Sequence, residues 1–464
     1  MSIVNINVSV TDPPRPSALL KSGAMVSTGG TTLAPGGYQL LTSAEDINAI
    51  LAPAKAISSL AWATGIVTVT LVEAHGWPEG DNVPIIVAGS TPAGYNGAFT
   101  STVTGDKTLT YALSVDPGTA TTTGTVSSVA AGEIQQMSAT YWAQGSGRAV
   151  YVLELGELSV PAAVKTLGTF ISEDTSLGNT YQKFFSYLTP REWDTESTFR
   201  ALVNNYTSAG SLVKFFVTTT TATWEAWASE KYPNVFAGVE APGISATEFS
   251  MAAPFQSALS NDPGSSNMTP PMAWRFMYGV TAYPAAGNGA LLKTLQANNI
   301  NYIGTAAEGG LSNKMLVAGH MLDGNPFNYW YAVAWCAINL ELDIANEIIN
   351  GSNTSVNPLY YNQQGIDRLQ RRALKTLRSG ISYGLILGQA LGESMIQSDF
   401  NNAYNKGQFA GSAVINAVPF ASYTSLNPSD YAQGKYGGLS TVLTPSRGFE
   451  SITFNVNVTN FAGA

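Results

Sequence analysis

The chain has 464 residues, enough for about three domains of ordinary size. Charged residues make up 11% of it, against a usual share of about 25%, so Thr, Ser, Asn, Gln and Gly must keep its surface in water. The net charge of −9 argues against nucleic acid as a partner, one cysteine (Cys336) excludes an internal disulfide framework, and no apolar run approaches the length of a membrane span.

The chain opens on Val4-Asn5-Ile6-Asn7-Val8-Ser9-Val10, which alternates apolar and small polar residues. That period predicts a strand with one buried face, carried by Val4, Ile6, Val8 and Val10. The run has no hairpin partner beside it, because Thr11-Asp12-Pro13-Pro14-Arg15-Pro16 follows. The start also lacks the basic and apolar segments of a signal peptide, so folding in a cytoplasm is expected. Ser43 to Leu51 reads as a short helix capped by Thr42 or Ser43.

From Ile57 to Val129 the composition turns to Thr, Val, Gly and Ala, with strands predicted at 65–71, 83–87, 98–103 and 108–113. We read this stretch as a small inserted β-sandwich. From Ala149 strands alternate with helices, which argues for an α/β body. Strands are predicted at 150–155, 212–217, 235–239 and 302–305, and helices at 161–168, 196–209, 223–231, 246–259 and 289–298. Two longer helices follow, at 329–349 and 363–380. The chain closes on Ile452-Thr453-Phe454-Asn455-Val456-Asn457-Val458-Thr459, a second lone alternating strand with Ile452, Phe454, Val456 and Val458 on its apolar face. The fold class is therefore mixed, α+β and α/β. The divisions are an arm and linker (1–16), the first part of the body (17–56), the inserted all-β module (57–132), the α/β body (133–440), and a hinge with the second arm (441–464).

Chemistry-bearing motifs are sparse. The chain has no GxxxxGK[ST] loop, HExxH, Cys-x-x-Cys or Gly-x-Ser-x-Gly. His75 and His320 are its two histidines, and the carboxylate pairs Glu192/Asp194 and Glu341/Asp343 read as surface residues. The expectation is a protein that is not an enzyme and takes no cofactor or metal. One charge feature stands out: Arg368, Arg371, Lys375 and Arg378 recur at a 3-4-3 spacing and form one stripe on the second long helix. A stripe of that kind suits docking on an acidic protein surface as well as it suits a solvated helix face.

Several segments together resemble the contractile-tail sheath proteins of myophages. They are the two terminal strands, Met321-Leu322-Asp323-Gly324-Asn325-Pro326-Phe327, the run Asn362 to Gly380 followed by Gly384, Asn427-Pro428-Ser429-Asp430-Tyr431, and Ser446 to Ser451 leading into the last strand. The likeness covers about the first 50 residues and roughly 135–464. Ala74-His75-Gly76, Gly80-Asp81-Asn82-Val83 and Thr91 to Gly97 look like a β-module that recurs in phage structural proteins.

The resemblance implies a sheath-like α/β body with terminal strand arms, forming hexameric rings stacked helically around a tail tube. Neighbouring subunits would exchange strands, and the sheath would contract without ATP to drive the tube through the host envelope. Tube, baseplate and tail terminator proteins are the implied partners, with no nucleic acid and no stable membrane insertion. The implied location is the virion, after assembly in the bacterial cytoplasm. The alternative is a carbohydrate- or host-binding tail or baseplate component, whose Trp62, Trp77, Tyr95 and Tyr111 would stack on sugars.

Overall fold

Short apolar runs bounded by Gly, Pro and Asx turns build the sheets of this protein. A computed structural model describes residues 22–145, 148–156, 159–172, 184–207, 211–244, 247–261, 263, 268–285, 287–305 and 313–450. Val4, Ile6, Val8 and Val10 of the first arm, and Ile452, Phe454, Val456 and Val458 of the second, lie outside the described residues.

The described chain begins with β1 (Gly23–Ser27) and β2 (Tyr38–Leu41). The helix expected over 43–51 is instead a single 3-10 turn at Asp46–Ala49. Its Asp46 carboxylate accepts from the N–H and hydroxyl of both Thr42 and Ser43, which curls the chain back on itself. These bonds, the Thr42 N–H foremost, bring the Asp46 carboxyl down to about 2.

Six strands follow: β3 (Lys55–Ala63), β4 (Ile66–Leu71), β5 (Asn82–Ala88), β6 (Gly97–Gly105), β7 (Thr108–Ala112) and β8 (Thr125–Ser128). They form a closed antiparallel barrel in the order β3-β4-β7-β6-β5-β8, where the sequence suggested a β-sandwich. Thr64 and Gly65 join β3 to β4 with φ of +49° and +87°, the two-residue turn whose twist matches that of its strands. Inward residues including Val67, Val69, Ile85, Val103, Leu109 and Val126 fill the interior. The two closing strands, β3 and β8, were not read from the sequence. A register shift between Ile57 and Ser59 breaks the alternation of β3, and β8 has only four residues. Lys55 and Ala56 pair with Val126 and Thr125, so the chain leaves the body and returns to it side by side.

The body continues through α1 (Val129–Trp142), β9 (Val150–Glu154), α2 (Val160–Ile171), β10 (Ser186–Leu188), α3 (Ser197–Asn204) and β11 (Lys214–Thr219). Next come α4 (Glu225–Ala228), β12 (Val235–Val239), α5 (Ala252–Leu259) and α6 (Gly289–Ala297). Its sheet has the order β12-β11-β10-β1-β9-β2, with β2 antiparallel to β9 and every other pair parallel. With β2 set aside, this is the 2-1-3-4-5 order of a doubly wound sheet, whose helices lie on both faces. Val26, Leu153, Phe215 and Val217 meet α2, α3, α4 and α6 on one face. Met25, Val152, Phe216 and Phe236 meet α1 and α5 on the other. The architecture is thus mixed α/β with several sheets and a small closed barrel.

At the C-terminal end of β9 the Glu154 carboxylate is 1% exposed. It accepts from Ser27 Oγ (2.8 Å), Gly29 N (2.6 Å), Thr31 N (3.0 Å), Thr31 Oγ1 (2.7 Å) and Gly156 N (2.7 Å). Within the loop so held, Gly30 lies against the start of α1, where a Cβ would stand 2.5 Å from the Ala130 carbonyl oxygen.

A second buried charge, Lys214, starts β11 at the opposite end of the sheet. Its ammonium lies 5.4 Å from the centroid of a Trp330 ring. Burial brings the group from 10.5 down to about 8, opposed by the nearby Asp323 carboxylate. The unfolded chain therefore binds more protons than the fold between pH 8 and 10.5, and the penalty is fully present below pH 8. Lys214→Met should stabilise the protein by about 3 kcal/mol at neutral pH, measured by urea unfolding. The gain should shrink through that window and be gone above it; a gain independent of pH would contradict this account.

Candidate assembly surface

Beyond α6 the chain forms a hairpin, β13 (Tyr302–Thr305) with β14 (Lys314–Val317), and then two long helices, α7 (Phe327–Ser352) and α8 (Gln363–Ser382). Phe327, Tyr331, Trp335 and Ile338 bury the first half of α7, while the face of α8 with Ile366, Ala373, Leu374 and Leu377 turns inward. Asn362 caps α8 by accepting from Gly365 N. Cys336 lies in this core, where burial pushes its thiol up to about 12 and away from thiolate chemistry.

The basic stripe separates once the helices pair. Arg368 is held by the Glu347 carboxylate of α7 and the Asn357 carbonyl. Arg372, outside the stripe, binds Asp343, which also accepts from Thr376 Oγ1. Arg371, Lys375 and Arg378 stay exposed and have no ion pair among the described residues. The signal for this difference lay in Asp343 and Glu347, which are one helical turn apart on α7 and face α8.

The last part comprises β15 (Ala390–Glu393), α9 (Gln397–Asn405), β16 (Ala413–Ala417), α10 (Phe420–Leu426), α11 (Pro428–Ala432) and β17 (Leu439–Val442). β16 runs parallel to β15 and antiparallel to β17, with its own residues wholly buried. The outer edges of β15 and β17 pair with no other strand among the described residues. Asn416, fully buried in β16, fixes the end of β15: its Oδ1 accepts from Met395 N at 2.8 Å and its Nδ2 donates to Met395 O at 3.0 Å.

Residues 444–450 then run over the body as a strap. Leu387 N donates to the Thr444 carbonyl and Ser446 N to that of Leu385. Asn328 Nδ2 donates to Ser446 O, Arg447 binds Asn325, and His320 Nε2 lies 2.8 Å from Glu450 Oε1. The start of the hinge expected within 441–464 is thus fastened to the body, because the sequence showed its Pro and Gly and not the polar groups beneath it.

The remaining candidates fall into structural roles. His75 accepts from Trp77 N on Nδ1, which leaves Nε2 to donate to Gly105 O at 2.7 Å. Asp194, read as a surface residue, is 5% exposed and accepts from Thr223 Oγ1 and Trp227 Nε1. Tyr95 and Tyr111 are buried inside the barrel, so of the four aromatics of the host-binding alternative only Trp62 and Trp77 reach the surface, each in part. Among the described residues no group of His, Cys, Asp and Glu could hold a metal ion, and no helix is long and apolar enough to cross a membrane. No protein-family model matches the chain, and no curated protein matches it.

Asn416→Leu would leave the Met395 N–H and C=O without partners, at a cost of about 2–4 kcal/mol. Equilibrium unfolding should register the loss, and hydrogen exchange should quicken at Met395 and along β15. Unchanged exchange there would mean that β15 is held by its ladder alone.

Proposed function

We propose that the protein is a structural subunit of a contractile tail sheath, polymerising helically around a tail tube through exchanged terminal strands and shortening without ATP. The observation that carries this reading is the C-terminal sheet, whose outer edges on β15 and β17 pair with no other strand among the described residues. An open edge is a row of unpaired N–H and C=O groups, which an added strand satisfies. The sequence supplies two alternating runs with no hairpin run beside them, one apolar on Val4, Ile6, Val8 and Val10 and the other on Ile452, Phe454, Val456 and Val458. A four-residue edge makes roughly four ladder bonds, each contributing about 0.5–1.5 kcal/mol net. Burying three or four aliphatic side chains adds about 1.5–3 kcal/mol each before the ordering entropy of the arm is subtracted. Such a tether is strong enough to hold while rigid bodies turn and remake their other contacts.

In this reading the strap 444–450 belongs to the rigid body, and the C-terminal pivot is proposed to lie after Glu450. Hexameric rings, a tube, a baseplate and a terminator are the proposed surroundings, in a virion assembled in a bacterial cytoplasm. Arg371, Lys375 and Arg378 are proposed to face the tube, since they are the members of the basic stripe with no carboxylate partner among the described residues.

Deleting residues 1–10 or 451–464 should leave a soluble, folded body by circular dichroism that forms no tubes in electron micrographs. Tubes of ordinary length from either truncation would overturn the strand-exchange mechanism. Reversing Arg371 and Lys375 to Glu should slow assembly templated by tubes while leaving stability within about 0.5 kcal/mol, as expected for exposed unpaired charges. Unchanged templated assembly would return the stripe to a solvated face.

A further inference from the structure

At the C-terminal edge of the doubly wound sheet, where β1 and β10 send the chain to opposite sides, a cavity of about 310 Å³ opens against the barrel. Crevices at such a switch point are the usual ligand site of these sheets. One wall is apolar: Pro84 and Ile86 of β5, Ala98 of β6, and Val129 and Ala130 of α1. The other wall is polar and consists of Glu133, Gln136, Arg191 and Glu192.

Each nitrogen of the single guanidinium there already donates within the protein. Arg191 Nε donates to Glu240 Oε1 (2.6 Å), Nη1 to Glu133 Oε1 (3.3 Å) and Nη2 to the Glu248 carbonyl (2.6 Å). The guanidinium also lies over the Phe249 ring, 4.2 Å from its centroid. The acceptors are in surplus. Gln136 Oε1 is buried with no hydrogen-bond partner among the described residues, as is Glu240 Oε2 just behind the wall.

The electrostatics point the same way. Glu133, Glu192, Glu240 and Glu248 stand around one arginine, and the amino end of α1 offers only about half a positive charge. Burial raises Glu133 and Glu240 above the usual carboxylate range, with Arg191 opposing. Glu192, at the solvent-exposed rim, is pushed up to about 7, first by the protein around it and then by the charge of Glu133.

We propose that this cavity binds a small organic ammonium, its alkyl part against Ile86, Pro84 and Ala98 and its N–H groups on Glu192, Glu133 and Gln136 Oε1. An ammonium supplies the donors and the positive charge that the polar wall lacks, whereas an anion would meet the carboxylates and find Arg191 engaged. The volume is at the small end of the range for small-molecule sites, which excludes a bulky ligand. The proposal is independent of polymer assembly, since every residue in it belongs to one subunit.

The test is calorimetric titration of the full-length, unassembled protein at pH 8 with n-hexylamine, 1-hexanol and sodium hexanoate. Hexylammonium should bind saturably, one per chain, and at least about tenfold more tightly than the alcohol or the carboxylate. Glu192→Gln, a change at the exposed rim, should weaken it about tenfold. Ile86→Trp, which fills the cavity from the outer face of the barrel, should abolish binding with the circular dichroism spectrum unchanged. Equal or tighter binding of hexanol or hexanoate, no saturable binding of the amine, or full affinity in Glu192→Gln would each overturn the proposal. If Ile86→Trp does not fold, the Glu192→Gln comparison decides.

Discussion

The buried carboxylate of Glu154 is the constraint from which the rest of the body takes its positions. A carboxylate taken out of water is costly unless its lone pairs are met, and five donors from Ser27, Gly29, Thr31 and Gly156 meet them here. Hydrogen bonds to a charged group contribute about 1.5–3 kcal/mol each, so the set is strong enough to dictate loop shape. It clamps the exit of β1 to the exit of β9, its neighbour in the sheet. The clamped loop carries Gly30, whose missing side chain lets α1 start directly above it. α1 begins at the residue after β8, so the place of the barrel follows from the same clamp. The cavity between barrel and sheet is a consequence of that chain of contacts.

The two ends of the sheet serve different purposes. Its C-terminal edge holds the crevice with Arg191 and its carboxylates. Near its N-terminal edge, the segment 320–330 meets the strap 444–450 through Asn325, Asn328 and His320. The direction in which the chain leaves the body is therefore imposed by a polar surface outside the C-terminal sheet. In the proposed polymer, whose subunits would be joined through their ends, such a rigid exit would keep the bodies coupled to one another.

Some elements were plain in the sequence. The strands at Val235–Val239 and Tyr302–Thr305 stand where apolar runs between turn residues put them. α8 begins where Asn362 offers a cap, and its strong two-faced pattern runs through to Ser382. Other elements were hidden by length or context. β10 and β8 have three and four residues, too few for a period to show, and both are held by neighbours distant in the chain. The helix expected at 43–51 lost to Asp46, whose carboxylate found Thr42 and Ser43 closer than a helical backbone.

By itself the sequence determined the class of each long segment: two lone alternating ends, a Thr- and Val-rich β insert, an α/β stretch and a basic amphipathic helix. Those follow from side-chain period and from turn and cap chemistry, which act over a few residues. Only the tertiary structure decided that the insert closes into a barrel, that Arg368 is spent on Glu347 while Arg371, Lys375 and Arg378 have no ion pair among the described residues, and that Arg191 gathers carboxylates brought together from α1 and the far end of β12. These depend on which surfaces meet across long stretches of chain. Burial, charge pairing and the satisfaction of polar groups select such meetings, and no local pattern encodes them.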